Sequence, residues 1–157
     1  MHLSLPTDIK KFIEYKLNHF YETERYLNEY KRALMPSSTP AYSAAMGGSS
    51  GESRPAENLA IKMASDAYII ETEKTINIIQ NVLDALDETD SKLISLVYLK
   101  KNKLTKEGAA LRCNITKSAA YDRINAVLYK IAFELGYVNL KTTPLEKRKR
   151  KLAHVGK

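Results

Sequence analysis

The stretch that decides the fold runs Leu104-Thr105-Lys106-Glu107-Gly108-Ala109-Ala110-Leu111-Arg112-Cys113-Asn114-Ile115-Thr116-Lys117-Ser118-Ala119-Ala120-Tyr121-Asp122-Arg123-Ile124-Asn125-Ala126-Val127-Leu128. Thr105 stands where a hydroxyl can cap a short helix, and Ala109, Ala110 and Cys113 fall on one face of that helix. Asn114 comes next, where a tight turn is needed, and asparagine tolerates the left-handed backbone such turns use. Thr116 then caps a second, longer helix. Its inner stripe reads Ile115, Ala120, Ile124, Val127 and Ile131, and the small Ala110 lets the two backbones cross closely. Its outer stripe is Lys117, Ser118, Ala119, Tyr121, Asp122 and Asn125. Two capped helices of unequal length joined by a tight turn predict a helix-turn-helix, in which the second helix lies in a groove of duplex DNA.

Charge is placed to match. Residues 1–35 carry six Lys and Arg against five Asp and Glu, and residues 36–91 carry three against nine. Residues 92–138 carry nine against three and residues 139–157 seven against one, so the whole positive excess of this +7 chain lies in its last 66 residues. A basic surface beside a groove-sized helix suits a phosphate backbone, because each neutralised phosphate releases condensed counterions. Surface lysines that only aid solubility are the plainer explanation, but they do not account for so steep an asymmetry.

At 157 residues the chain has room for one modest domain, or a small domain plus an extended helical part. No apolar run approaches the roughly 18–20 residues of a membrane span, and the start lacks the layout of a secretory signal. Cys113 is the only cysteine, which precludes an intrachain disulfide and fits a reducing cytoplasm. It reads most simply as a small buried hydrophobe.

The rest of the chain predicts almost only helix, an all-α architecture. Residues 8–35 run without Gly or Pro, and Ile13, Phe20, Leu27 and Leu34 recur every seven residues. Tyr15, Tyr21, Tyr26 and Tyr30 widen that seam. The seam serves equally for packing within the chain or for a homodimer. From residue 36 to 56, Pro36, Pro40 and Pro55, three glycines and six serines read as a flexible linker. A long central helix is expected over 57–86, about 45 Å at 1.5 Å per residue, with Ile69, Ile76 and Leu83 again seven apart. A hairpin with the N-terminal helix or a dimer would bury its stripe equally well. The acidic and capping run at Asp87 to Asp90 opens a helix from Ser91 to Lys101, whose Leu93, Ile94, Val97 and Tyr98 supply the third wall of the motif core. The expected divisions are therefore an N-terminal amphipathic helix at 1–35, the linker at 36–56, the central helix at 57–86, the DNA-binding domain at 87–138 and a basic tail at 139–157.

Catalysis finds little footing. His2, His19 and His154 are scattered, no His/Cys pair has metal spacing, and the carboxylates at Asp84, Asp87, Glu88 and Asp90 suit helix capping better than acid–base work. The sequence predicts neither an enzyme nor a cofactor.

The arrangement carried by Glu107-Gly108-Ala109-Ala110, Cys113-Asn114-Ile115 and Arg123-Ile124 resembles region 4 of bacterial sigma factors. It is more closely similar to the sigma-like C-terminal domain of the RinA and ArpU families of phage transcriptional regulators, as is the linker from Gly47 to Pro55 that enters a long helix. The resemblance covers about residues 47–137, its specific part about 50 of them. It implies an activator of late phage genes that works in the bacterial host cytoplasm and directs host RNA polymerase to a late promoter. The second helix is poor in Arg, with Ala119 and Asp122 at outward positions, so no relative's target sequence transfers. A small terminase subunit, which also joins such a motif to oligomerising helices, is the alternative, although there the DNA-binding domain usually comes first.

Residue by residue, Lys117 and Ser118 are placed to reach phosphates or the nearest bases, and Tyr121 to meet a thymine methyl or a phosphate. Asp122 can accept from a cytosine amino group and Asn125 can pair with adenine. Arg123 reads either as a phosphate contact or as a partner of Glu107. Thr105, Lys106 and Arg112 are candidate backbone clamps, with Thr116 and Ala119 completing the surface. The acidic face of Glu71, Glu73, Asp84 and Asp87 offers polymerase a contact on charge alone.

Lys147-Arg148-Lys149-Arg150-Lys151 can grip phosphates flanking the site, or merely solubilise the chain. Deleting residues 145–157 is expected to flatten the dependence of DNA affinity on salt; an unchanged slope would take the tail out of DNA binding.

Overall fold

The computed structural model describes residues 4–35 and 55–138, and every regular element among them is helical. The basic tail and all but the last two residues of the expected linker lie outside the described residues. The elements are α1 (Thr7–Asn18), α2 (Phe20–Leu34), α3 (Pro55–Ser65), α4 (Ala67–Asp84), α5 (Glu88–Ile94) continued by a π-helical turn (Ser95–Leu99), α6 (Lys106–Arg112) and α7 (Lys117–Glu134). No described helix is long and apolar enough to cross a membrane.

Two expected helices are each broken once. The N-terminal helix stops at His19, whose φ of −111° and ψ of 17° are not helical, so 8–35 is two helices rather than one. The central helix breaks at Asp66. Its Oδ1 accepts the Ile69 backbone N–H at 3.1 Å, the bond of an N-cap, while Ser65 Oγ just before it donates to the Ile61 carbonyl. Short polar side chains that compete for backbone partners thus interrupt a run whose apolar spacing alone predicts continuity.

The chain forms two compact units, and their limits cut across the divisions expected from sequence. One unit holds residues 4–21 and 75–138, the other residues 22–35 and 55–74. In the smaller unit Leu27 and Ile69 are buried, the Tyr30 hydroxyl donates to Asp66 Oδ2 at 2.8 Å, the Tyr30 and Tyr68 rings meet edge to face, and Lys31 pairs with Glu73.

In the larger unit one apolar core gathers Ile13 and Leu17 of α1, Phe20, Ile79 and Val82 of α4, Leu93 and Ile94 of α5, and Ala109 and Ala110 of α6 around α7. Helix α7 contributes Ala120, Ile124, Val127, Leu128, Ile131 and Ala132, an inner stripe wider than the expected one. Ile115 and Cys113 pack against this core while partly exposed. Helix α1 therefore belongs with the C-terminal helices rather than to a separate N-terminal element. The expected helix to Lys101 ends sooner, in a π turn closed by Lys100 N–H donating to the Ser95 carbonyl. The wider turn accompanies the burial of three successive residues, Leu96, Val97 and Tyr98, which one face of an α-helix does not offer.

Local chemistry sets the ends of these helices. Asp87 accepts the Asp90 N–H, Thr105 the Gly108 N–H and Thr116 the Ala119 N–H, so α5, α6 and α7 each start on a side-chain cap. A Cβ at Gly108 would come within 3.3 Å of the Thr105 hydroxyl that caps it. Asn114, with φ of 53°, takes the left-handed position in the turn between α6 and α7. Helix α7 stops at Gly136, φ 81°, where Tyr137 N–H donates to the Ala132 carbonyl and Gly136 N–H to that of Phe133, a Schellman close.

Leu17→Ala is expected to cost about 2–5 kcal/mol in the same cooperative denaturant transition as Leu128→Ala. A Leu17→Ala transition coincident with that of the unaltered protein would detach α1 from the core. In the turn, Asn114→Val is expected to lose about 1–2 kcal/mol where Asn114→Gly loses little, because only the former puts a branched Cβ in left-handed backbone. Equal losses would mean that the turn does not hold that conformation.

Candidate functional site

The outward face of α7 is the surface to which the sequence directs attention. Lys117, Ser118, Tyr121, Asp122 and Asn125 line one open depression of about 520 Å³. They sit at positions i, i+1, i+4, i+5 and i+8, the spacing that keeps side chains on one face of a helix. Ala119, the remaining outward residue expected from sequence, is half-buried beside it. The depression is shallow because its floor is the helix itself; its lining is a mixture of an ammonium, a hydroxyl, a phenol, a carboxylate and an amide.

Glu107 organises one end of this surface from α6. Its Oε1 accepts the Tyr121 hydroxyl at 2.7 Å and pairs with Lys117 Nζ at 2.9 Å. These two donors hold the Glu107 carboxyl down to about 2, well below its ordinary 4.5, and the same bonds raise the Tyr121 hydroxyl and the Lys117 ammonium above theirs. The Lys117 ammonium also lies over the Tyr121 ring, 5.7 Å from its centre. The Lys117 side chain is nevertheless 67% exposed, so water and salt screen the pair and a competing anion can take the lysine.

Three expected contacts have other partners. Arg123 bonds Asp90 and Asp87 rather than Glu107: its Nη1 reaches Asp90 at 2.8 Å and Asp87 at 3.2 Å, tying α7 to the first turn of α5, with 41% of the side chain exposed. Glu107 is taken by Tyr121 and Lys117, and the acidic run that caps α5 lies within the guanidinium's reach. Lys106, expected as a backbone clamp, points to α1, where its Nζ meets Glu14 Oε1 at 2.7 Å with only 21% of the side chain exposed. Asp87 of the expected polymerase-facing acidic group is the partner of Arg123, and Glu73 is the partner of Lys31 in the other unit. Thr105 and Thr116 are exposed and use their oxygens as caps, which leaves each hydroxyl hydrogen able to donate; Arg112 is exposed at the end of α6.

The sequence signals the helix of α1 but not its contacts with the candidate site. Glu14 Oε1 accepts both Lys106 Nζ and the Tyr98 hydroxyl, the latter at 2.8 Å. Burial alone would raise the Glu14 carboxyl, but the bonds from Lys106 and Tyr98 outweigh it and the net shift is downward. Burial and the same carboxylate push the Tyr98 hydroxyl far up. Lys103 closes the far end of α1 by donating to Asn18 Oδ1 at 2.9 Å and to its carbonyl. At the near end Lys10 Nζ donates to Asn125 Oδ1 at 2.9 Å, which brings a lysine from α1 to the rim of the α7 surface. These partners stand 84 to 115 residues apart, and no local pattern signals them.

Among the described residues no group of three or more His, Cys, Asp and Glu side chains could hold a metal ion. Neither a family model, nor a curated protein, nor a solved structure matches this chain.

The depressed Glu107 carboxyl makes a pH prediction. Its contacts stabilise the fold fully above its ordinary 4.5 and are lost as pH falls toward 2. Carboxyl-detected NMR is expected to give Glu107 a midpoint near 2, raised by Lys117→Met and by Tyr121→Phe. A midpoint near 4.5 in the unaltered protein would dissolve the cluster.

Proposed function

We propose that this protein is a sequence-specific double-stranded DNA-binding transcriptional regulator, with α6 and α7 as a helix-turn-helix and α7 as its recognition helix. The observation that carries the reading is the α7 surface: Lys117, Ser118, Tyr121, Asp122 and Asn125 line one open depression along a helix that begins on a Thr116 cap after a left-handed Asn114 turn. A helix presented in this way fits the major groove, its first turn against phosphates and its next turns against base edges. The placement of the positive excess in residues 92–157 supports the same reading.

Lys117 supplies a charge to the backbone. It gives up Glu107 for a phosphate, and Glu107 keeps Tyr121 oriented through the hydroxyl bond. Asp122 and Asn125, a turn further along, face the base edges. The role of late-gene activator acting with host RNA polymerase rests on the resemblance to the RinA and ArpU regulators stated above, and on no contact in the fold.

The experiment is to incubate the protein with fragmented genomic DNA of its source at near-physiological salt, then sequence what it retains. Enrichment of one site just upstream of a structural-gene operon is expected; enrichment inside a packaging site beside terminase genes would replace the regulator with a small terminase subunit. In binding assays Lys117→Ala is expected to weaken all sequences and reduce the salt slope by about 1, whereas Asn125→Ala relaxes preference at one base position. Equal losses on specific and random DNA for both variants would remove base reading from α7.

A further inference from the structure

We infer that Lys10 of α1 sets which base Asn125 reads, turning an adenine-type contact into a guanine-type one. The inference rests on the DNA-binding reading above and names the specificity of that same surface.

An ammonium has hydrogen-bond donors only, so the side-chain amide beside Lys10 must turn its oxygen to it; the contact of Lys10 Nζ with Asn125 Oδ1 at 2.9 Å is therefore chemically determined rather than one of two equivalent amide orientations. An asparagine reads adenine by accepting from N6 while donating to N7, which requires Oδ1 to face the base. Here Oδ1 is held by a positive charge, and an approaching N6 amino group would meet the N–H groups of Lys10 as well as an oxygen already bonded. Oδ1 keeps a second lone pair, but it is turned toward the ammonium, so the part of the amide best placed for a base edge is Nδ2, which donates two hydrogens and accepts none. Guanine presents two acceptors, N7 and O6, in the major groove, and the nearby ammonium favours both of them. The contact is half-buried, which shields it from the salt screening that weakens fully exposed pairs.

The placement of α1 makes this more than a chance encounter of long side chains. Ile13 and Leu17 are fully buried in the core, and Glu14 of the same helix is bonded to Tyr98 of the π turn and Lys106 of α6. Lys10 lies one turn before Glu14, so its backbone is fixed relative to α7. The N-terminal helix thereby serves as a supporting wall for the recognition helix, and Lys10 is a positioning residue that acts through Asn125.

The test is selection from a random double-stranded DNA library with the full-length protein and four variants: Lys10→Met, Lys10→Arg, Asn125→Ala and the double variant Lys10→Met/Asn125→Ala. The position at which Asn125→Ala loses preference defines the base in question. The unaltered protein is expected to select guanine there, Lys10→Met to shift the choice to adenine by about tenfold in relative enrichment, and Lys10→Arg, which also only donates, to keep guanine. In the Asn125→Ala background, Lys10→Met is expected to leave that position unchanged, which separates an effect through Asn125 from a direct lysine contact. Thermal unfolding of each variant shows that the fold persists, and Lys10→Arg supplies the readout if Lys10→Met does not fold. Adenine in the unaltered protein, guanine retained by a folded Lys10→Met, adenine selected by Lys10→Arg, or no position lost in Asn125→Ala would each overturn the inference while leaving DNA binding intact. Failure of the unaltered protein to enrich any sequence would overturn the DNA-binding reading and the inference together.

Discussion

Burial of Ile13 and Leu17 of α1 in the core built around α7 is the contact on which the rest of the larger unit depends. Helices α5 to α7 with their connections span about 50 residues, a length at which one apolar core is marginal. Each fully buried Ile or Leu adds about 1.5–3 kcal/mol, so the α1 pair contributes an amount comparable with much of a small domain's net stability. The same packing fixes the azimuth of α7. With one side committed to Ala120, Ile124, Leu128 and Ile131, the strip that carries Lys117, Tyr121 and Asn125 lies along the edge of that buried side, which is why Tyr121 and Asn125 are half-buried.

Polar contacts then set what that face can do. Glu14 joins α1 to Tyr98 and Lys106 through one carboxylate oxygen, and Glu107 does the corresponding work at the outer surface with Tyr121 and Lys117. The two carboxylates differ in burial, and so in consequence. Glu14 is half-buried, so its bonds are sheltered from salt; Glu107 pairs with a lysine two-thirds exposed to solvent, a contact that an anionic ligand can exchange. Arg123, on the same helix as Lys117, is bound to Asp87 and Asp90. Here it anchors α7 to the start of α5.

Much of the local architecture was legible in the sequence because it depends on neighbours. The caps at Thr105 and Thr116 act on N–H groups three residues away, and the turn at Asn114 depends on the tolerance of one side chain for left-handed backbone. The inner stripe of α7 follows from helical periodicity, and so does the gathering of Lys117, Ser118, Tyr121, Asp122 and Asn125 on the face beside it. The breaks at His19 and Asp66 were harder to read. A seven-residue apolar repeat continues through the first and no Gly or Pro marks the second, and what ends the helices is backbone geometry in one case and a side-chain cap in the other.

The sequence by itself determined the helical class, the capped starts of α6 and α7 and the residues of the α7 face, all set by interactions within about eight positions along the chain; the starts of α2 and α4 and the start of α5 at Glu88 rather than Ser91 it did not. Only the tertiary structure decided which unit α1 joins, which carboxylates Lys106 and Arg123 bond, and that Lys10 lies against Asn125. The physical reason is the same for each. A lysine or arginine bonds whichever acceptor the packed core brings within about 3 Å. Which acceptor that is depends on how helices distant in sequence bury their apolar faces together, and that choice leaves no trace in the spacing of either partner's neighbours.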